Sequence, residues 1–319
     1  MERNISRPVV ALLGIIAALA AIASAAGVLL RGDLATEAFT TIRGDLVDVL
    51  TGGIYRLNGE SIAAEGVGWD AVTLLLVVPA LLLTLPFLTR GSLRAYLFAT
   101  GILAYFAYQY FEYAMALAYG PLFPIYVAIG ALSLTGMALL LSGIDQAALR
   151  TRVGPAFPRR PMMGFGIFMA VLLAGMWLPL IAGTFDATSV PQLNGGTTLV
   201  VQAFDLGLLV PLGLFTAVTI KRRLVAGYVL SAIVVVKGMT MGAAIAAMLI
   251  VEWSVTGVSQ LPPIVIFAGI SVVSAVLAWR VYGSIESRPQ PVNASGTAPV
   301  RPGGGDTDRT WTTPRTSSR

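Results

Sequence analysis

Residues 225–251 read VAGYVLSAIVVVKGMTMGAAIAAMLIV, and Lys221, Arg222 and Arg223 lie shortly before them. A transmembrane helix needs about 20 mainly apolar residues, and basic residues collect at the cytoplasmic end of such helices. The stretch contains one charged side chain, Lys237. It therefore predicts a membrane-spanning helix that begins on the cytoplasmic side and carries a lysine at membrane depth.

Seven other stretches are comparably apolar. The eight predicted spans are about 8–30, 70–89, 95–118, 121–142, 162–183, 198–219, 225–251 and 262–282. Of the 319 residues, 56% are hydrophobic and 12% are charged, whereas a soluble domain has about 25% charged residues. The predicted fold is an all-α polytopic transmembrane helix bundle with a membrane domain over 1–286. Four plus four helices would permit an internal repeat, but none is evident in the sequence.

Arginine and lysine residues predict the orientation, because they are enriched in cytoplasmic loops. With the N-terminus in the cytoplasm, the inner side receives Arg3, Arg7, Arg90, Arg94, Arg150, Arg152, Arg159, Arg160, Lys221, Arg222, Arg223 and Arg280. The long outer loop is acidic instead. A single miscounted helix would reverse the side of every later loop, so the pattern also supports the count. We expect a cell-membrane protein with both termini in the cytoplasm.

Three segments of the sequence differ from an ordinary span or connecting loop. The outer loop at 31–69 is longer than an ordinary connection, and we expect it to form an ordered cap that could bind a protein partner. The tail at 287–319 is rich in Pro, Gly, Ser, Thr and Arg, which predicts a disordered cytoplasmic segment. The stretch 8–30 could be a signal peptide, but its apolar run exceeds the roughly 7–15 residues usual there, which favours a retained helix.

The composition restricts the chemistry. The chain has no Cys and no His, which excludes thiolate nucleophiles, disulfides, imidazole bases and the usual zinc sites. Its basic residues lie in short loops and the tail rather than along one stripe, so nucleic acid is not an expected partner. We predict no catalytic residue, no metal site and no cofactor. The lipid bilayer is the first expected partner.

Three ionisable residues are predicted to lie at membrane depth: Glu112 in the third span, Asp205 in the sixth and Lys237 in the seventh. Such residues are costly at membrane depth and are functional candidates by default. The helical rise of about 1.5 Å per residue places Asp205 and Lys237 at similar depth on helices joined by a short loop. We predict that they pair.

Other polar side chains fall near the same level: Gln202 before Asp205, Tyr105, Tyr108 and Gln109 before Glu112, and Thr240 after Lys237. Together these residues predict a polar pocket in the outer half of the bundle, between the third, sixth and seventh spans. Two alternatives remain. A buried charge pair can specify a fold without any ligand, and Glu112, the shallowest of the three, could reach the outer water.

Several stretches carry a resemblance: VQAFDLGLLVP at 201–211, VKGMTMG at 236–242 and GIYR at 53–56. They resemble segments of prokaryotic multi-pass integral membrane proteins of unknown function. The likeness covers most of the chain except the tail. It implies the multi-pass fold and supplies no activity.

The pocket favours a protein that binds or transports a small solute or ion. A proton-coupled version would use Asp205 or Glu112 as the titrating group and Lys237 as its counter-charge. The alternative is a non-catalytic sensor or assembly subunit whose outer loop binds a partner. An intramembrane enzyme would be restricted to carboxylate or lysine chemistry. A chromophore bound to Lys237 as a Schiff base is disfavoured, because a further helix follows the lysine-bearing one.

Overall fold

The computed structural model describes residues 7–32, 35–42, 44–185, 193 and 196–285. This part contains nine helices: α1 Arg7–Leu29, α2 Glu60–Thr89, α3 Leu93–Ala116, α4 Phe123–Gly143, α5 Gln146–Arg152, α6 Arg159–Ala182, α7 Val200–Lys221, α8 Val225–Thr256 and α9 Leu261–Gly283. Strands β1 (Thr36–Thr40) and β2 (Leu46–Leu50) form an antiparallel hairpin that pairs Phe39 with Val47. The predicted tail at 287–319 lies outside the described residues.

Seven of the described helices are long and apolar enough to cross a membrane: α1, α2, α4, α6, α7, α8 and α9. This confirms the all-α multi-pass fold. The predicted third span corresponds to α3, which has the necessary length at 24 residues but is not among the seven. Its tyrosines, Gln109 and Glu112 lower its hydropathy. Most of its side chains are buried against other helices, and a helix that faces little lipid can be more polar.

The helix that carries the second predicted span begins at Glu60, ten residues before the predicted start of that span. Residues 60–69 form the first turns of α2 rather than part of the loop. Small residues let this segment approach α8: a Cβ added at Gly68 would lie 2.6 Å from backbone atoms of Met248. The ordered loop is therefore shorter than expected and consists of the β-hairpin and the turns up to Gly59. The side of the bundle that carries it is called the hairpin end below.

An internal repeat, which four plus four helices would permit, is present although it was not evident in the sequence. In α2, a π-helical turn at Thr73–Val77 leads into an α-helical segment, Val78–Thr89. In α7, the turn Asp205–Leu209 leads into Val210–Lys221. The next helices begin at residues 93 and 225. The same spacing of 132 residues separates 73 from 205, 78 from 210 and 93 from 225.

Matching residues explain why the two helices share this shape. Pro79 and Pro211 occupy equivalent positions at the 132-residue spacing. Proline has no N–H to donate to the carbonyl four residues earlier, so the preceding turn can widen into a π-turn. Farther along, Thr84 Oγ1 donates to the Ala80 carbonyl at 2.7 Å. The equivalent Thr216 donates to the Leu212 carbonyl at the same distance.

The repeat covers α2 with α7 and the start of α3 with α8, and with the helices before and after them the bundle divides into two halves, α1–α4 and α6–α9. Because four long helices return the chain to the end where it started, both halves run in the same direction through the bundle. The halves meet where α8 packs against α2 and α3. A Cβ added at Gly101 of α3 would lie 2.6 Å from Val236 of α8, so the two equivalent central helices pack in close contact.

Candidate functional site

A cavity of about 700 Å³ lies between the two halves. Helices α2 and α3 of the first half and α6–α9 of the second half line it. Toward the hairpin end it is bounded by loop residues that include Asn58, Ala118 and Gln260. Its deeper walls include Val234 and Lys237. Both its size and its mainly apolar walls with a few polar groups are typical of small-molecule sites.

Asp205 is the first residue of the π-turn in α7 and is buried. Both of its oxygens accept hydrogen bonds. The Tyr108 hydroxyl of α3 donates to Oδ1 at 2.7 Å, and the indole N–H of Trp177 in α6 donates to Oδ2 at 2.8 Å. The carboxylate thus links α7 to a helix of each half.

Lys237 lies in the cavity wall with 6% of its surface exposed. Its Nζ atom is 3.8 Å from the centroid of the Tyr108 ring, a cation–π contact. Within the described part of the chain, Nζ has no hydrogen-bond partner. The predicted direct pair of Asp205 and Lys237 is therefore wrong in its geometry. Tyr108 joins them: its ring faces the ammonium and its hydroxyl binds the carboxylate.

Glu112 and Gln202 also line the cavity. Glu112 lies one helical turn beyond Tyr108 on α3, nearer the hairpin end, and its buried Oε2 atom has no hydrogen-bond partner among the described residues. Gln202 lies one turn before Asp205. The structure therefore brings five of the eight predicted pocket residues to one cavity: Tyr108, Glu112, Gln202, Asp205 and Lys237.

The other three predicted residues lie outside the cavity lining. The hydroxyl of Tyr105 is 2.7 Å from Thr73 Oγ1 in α2. Gln109 is buried, and its amide has no partner within the described residues. Thr240 donates to the Val236 carbonyl of its own helix at 2.9 Å. Because helices surround α3, the side bearing Tyr105 faces the first half, whereas Tyr108 faces the cavity.

The repeat relates the charged pair to a neutral one. At the 132-residue spacing, Thr73 is the equivalent of Asp205 and Tyr105 is the equivalent of Lys237. Thr73 and Tyr105 form a hydrogen bond in the first half, and the Tyr105 ring stacks on Trp69 at 6.1 Å between centroids. The same pair of positions is therefore neutral and hydrogen-bonded in one half, and charged and beside the cavity in the other.

Several residues of interest were not predicted. Trp177 holds Asp205, and Glu65 lines the cavity. Asp70, the first residue of the second predicted span, is buried within α2, where it accepts a hydrogen bond from the Tyr55 hydroxyl. Burial, and secondarily the charge of Asp70, raises the pKa of Tyr55 well above its usual value. The small residues at 63–68 are the sequence signal that could have extended α2 over Glu65 and Asp70.

Comparison of the chain with protein-family models, curated proteins and solved structures gives no match. Its seven long apolar helices are those of a multi-pass membrane protein. The role of the cavity has to be inferred from the residues that line it.

Proposed function

We propose that this protein binds a small solute or ion in the cavity and carries it across the membrane. The observation that carries the proposal is a cavity of about 700 Å³ beside a buried ammonium and a buried carboxylate oxygen, neither of which has a hydrogen-bond partner among the described residues. Unpaired polar atoms at membrane depth are costly, and ionisable residues there mark substrate and ion pathways. A ligand that completes these contacts offsets that cost.

The internal repeat supports transport rather than binding alone. Many transporters consist of two repeats, with the substrate site between them and interrupted helices at corresponding positions. Residues of both halves line the cavity. The π-turns, which widen these helices without breaking them, lie at equivalent positions in α2 and α7, and Asp205 is the first residue of the second one.

Cysteine labelling tests whether the cavity is hydrated, since the chain has no native Cys. Gln202→Cys places a thiol in the cavity wall, and the matched control Leu208→Cys places one on the same helix, where Leu208 is 55% exposed outside the cavity lining. We expect a charged methanethiosulfonate reagent to modify the thiol of the Gln202→Cys variant and not that of the lipid-facing control. Equal reactivity of the two variants, or no reaction of Gln202→Cys, would contradict a water-filled site.

A second variant separates transport from binding. Val234 lies in the deep wall of the cavity, nine residues from the start of α8. If the protein alternates between two open states, reagent added on the side of the hairpin end should modify the thiol of Gln202→Cys. Reagent added on the opposite side of the membrane should modify the thiol of Val234→Cys. Reaction of both from the hairpin end alone would limit the function to binding.

A second function is favoured by one feature of the hairpin. Phe39, Ile42 and Leu46 expose 53%, 91% and 75% of their surfaces, and exposed apolar residues at a loop tip suit partner binding. The protein would then be a sensor or assembly subunit. A photo-crosslinking amino acid at Ile42 should capture one discrete partner in cells, whereas the same probe at Ser142, exposed near the opposite end, should not.

A further inference from the structure

The charges that line the cavity are unequal. Its described lining contains three acidic residues, Glu65, Glu112 and Asp205, and one basic residue, Lys237. Asp205 and Lys237 balance each other across Tyr108. One ammonium can balance only one of the three carboxylates, so the described lining has an excess of two acidic residues. An uncompensated carboxylate in a low-dielectric site is costly, so this cavity favours a cation and repels an anion.

The unsatisfied atoms show where such a ligand would bind. Asp205 already accepts one hydrogen bond at each oxygen, so it is less available to a ligand. Glu112 Oε2 accepts none from the described residues and can receive an N–H donor. Lys237 Nζ also has no acceptor there, and its contact with the Tyr108 ring leaves the N–H donors of the ammonium without a hydrogen bond. The ligand must therefore supply both a donor and an acceptor.

The two contact points lie at different depths. Tyr108 and Glu112 are four residues apart on α3, a rise of about 6 Å. Lys237 lies at the level of the Tyr108 ring, so Glu112 is nearer the hairpin end and Lys237 is deeper. Between and around them the wall is largely apolar, with Met169, Leu173 and Met241 among the lining residues. The site thus suits an elongated molecule with a polar group at each end and an apolar body.

Building on the proposed binding function, we infer that the ligand is a small organic cation with an ammonium or guanidinium nitrogen and a hydrogen-bond acceptor at its other end. The cationic nitrogen binds Glu112, with Glu65 adding negative potential toward the hairpin end. The acceptor binds Lys237. An inorganic cation would leave Lys237 without an acceptor, and an organic anion would face Glu65 and Glu112.

Three probes of the same shape test this ligand class. Tyramine carries an ammonium and a phenolic oxygen, phenethylamine lacks the oxygen, and 3-(4-hydroxyphenyl)propionate replaces the ammonium by a carboxylate. Binding to the purified full-length protein in detergent is measured by the shift of the thermal unfolding midpoint with probe concentration. We expect tyramine to bind about tenfold more tightly than either of the others, because one hydrogen bond to a charged group is worth about that factor.

Variants assign each end of the probe. Glu112→Gln keeps the side-chain shape and should weaken tyramine about tenfold, while Lys237→Met should abolish the preference for tyramine over phenethylamine. Glu37→Gln removes a carboxylate from the exposed strand β1 and should change neither. If Glu112→Gln does not fold, Glu65→Gln measures the same dependence on cavity charge, and the loss of tyramine affinity should again exceed any loss for the propionate.

The outcomes separate this inference from the proposed function. Equal or tighter binding of the propionate overturns the inference, and so does no binding of any probe to a protein whose Gln202→Cys variant is labelled; in both cases the cavity function stands. No probe binding together with an unreactive thiol in the Gln202→Cys variant overturns both.

The bound ammonium could belong to a free solute or to a lipid headgroup. Competition of phosphatidylethanolamine nanodiscs with tyramine supports the class and assigns it to lipid, and binding without competition assigns it to a free solute.

Discussion

Tyr108 is the residue on which the site depends. Its ring contacts the ammonium of Lys237, and its hydroxyl donates to Asp205. The helix positions of Asp205, Lys237 and Glu112 could be predicted from the sequence, because charged residues stand out in apolar spans. The role of Trp177 could not, since an indole in a membrane helix has the same sequence signal whether it faces lipid, an interface or a carboxylate.

Removing only the Tyr108 hydroxyl should destabilise the protein. Tyr108→Phe keeps the ring beside Lys237 but leaves the buried Asp205 Oδ1 without its donor. We expect the free energy of unfolding to fall by about 1.5–3 kcal/mol, the usual value for a hydrogen bond to a charged group. Denaturant unfolding in detergent measures this loss. Tyr119→Phe is the control, because Tyr119 is 79% exposed; an equal effect of both changes would contradict the role given to the hydroxyl.

At the scale of elements, helices α2 and α7 position the site. Their apolar stretches were visible in the sequence, but the start of α2 at Glu60 was not, because a run that includes Glu60, Glu65 and Asp70 has the composition of a loop. Residues 60–70 form a buried helix only because the small residues at 63–68 let this part of α2 pack closely against α8. The π-turns could not be predicted either, because a proline in a membrane span predicts a kink but does not show whether the kink contains a π-turn.

The contact between α6 and α7 gives an element-scale prediction. Gly213 of α7 and Gly166 of α6 face each other so closely that a Cβ added at either would lie 2.6 Å from the carbonyl oxygen of the other. Gly213→Ala should therefore separate the helices that carry Trp177 and Asp205, and lower the free energy of unfolding by about 1–3 kcal/mol.

The control for that change is Gly207→Ala on the same helix. A Cβ at Gly207 would have no neighbour within 4 Å, so this change should be neutral or stabilise the helix by up to about 1 kcal/mol. Thermal unfolding of both variants in the same detergent compares them. Equal stabilities would show that the two helices are not held at the observed separation.

At the scale of the whole molecule, two similar halves enclose the cavity. The repeat escaped sequence inspection although residues 73–84 and 205–216 are identical at six of twelve positions, because leucine- and valine-rich spans resemble one another by composition alone. The matching boundaries of the π-turns and of the following helices made it evident. The distribution of arginine and lysine adds an orientation: we propose that the hairpin end faces away from the cytoplasm.

Labelling of intact cells checks this orientation. Glu37→Cys in the exposed strand β1 should react with a membrane-impermeant maleimide from outside. Ser142→Cys, exposed near the opposite end, should react only after the membrane is permeabilised, because the basic loops lie at that end and basic loops favour the cytoplasm. The reverse pattern would place the hairpin in the cytoplasm.

By itself the sequence determined that this chain is a helical membrane protein and that Glu112, Asp205 and Lys237 lie within its helices. Both follow from solvation, because apolar length and the cost of buried charge are properties of local sequence. Tertiary structure alone decided that Tyr108 lies between Asp205 and Lys237, that Tyr105 and Gln109 face away from the cavity, and that two halves enclose it. Those outcomes depend on how helices rotate and pack against one another, which side-chain volume and backbone approach control across distant parts of the chain.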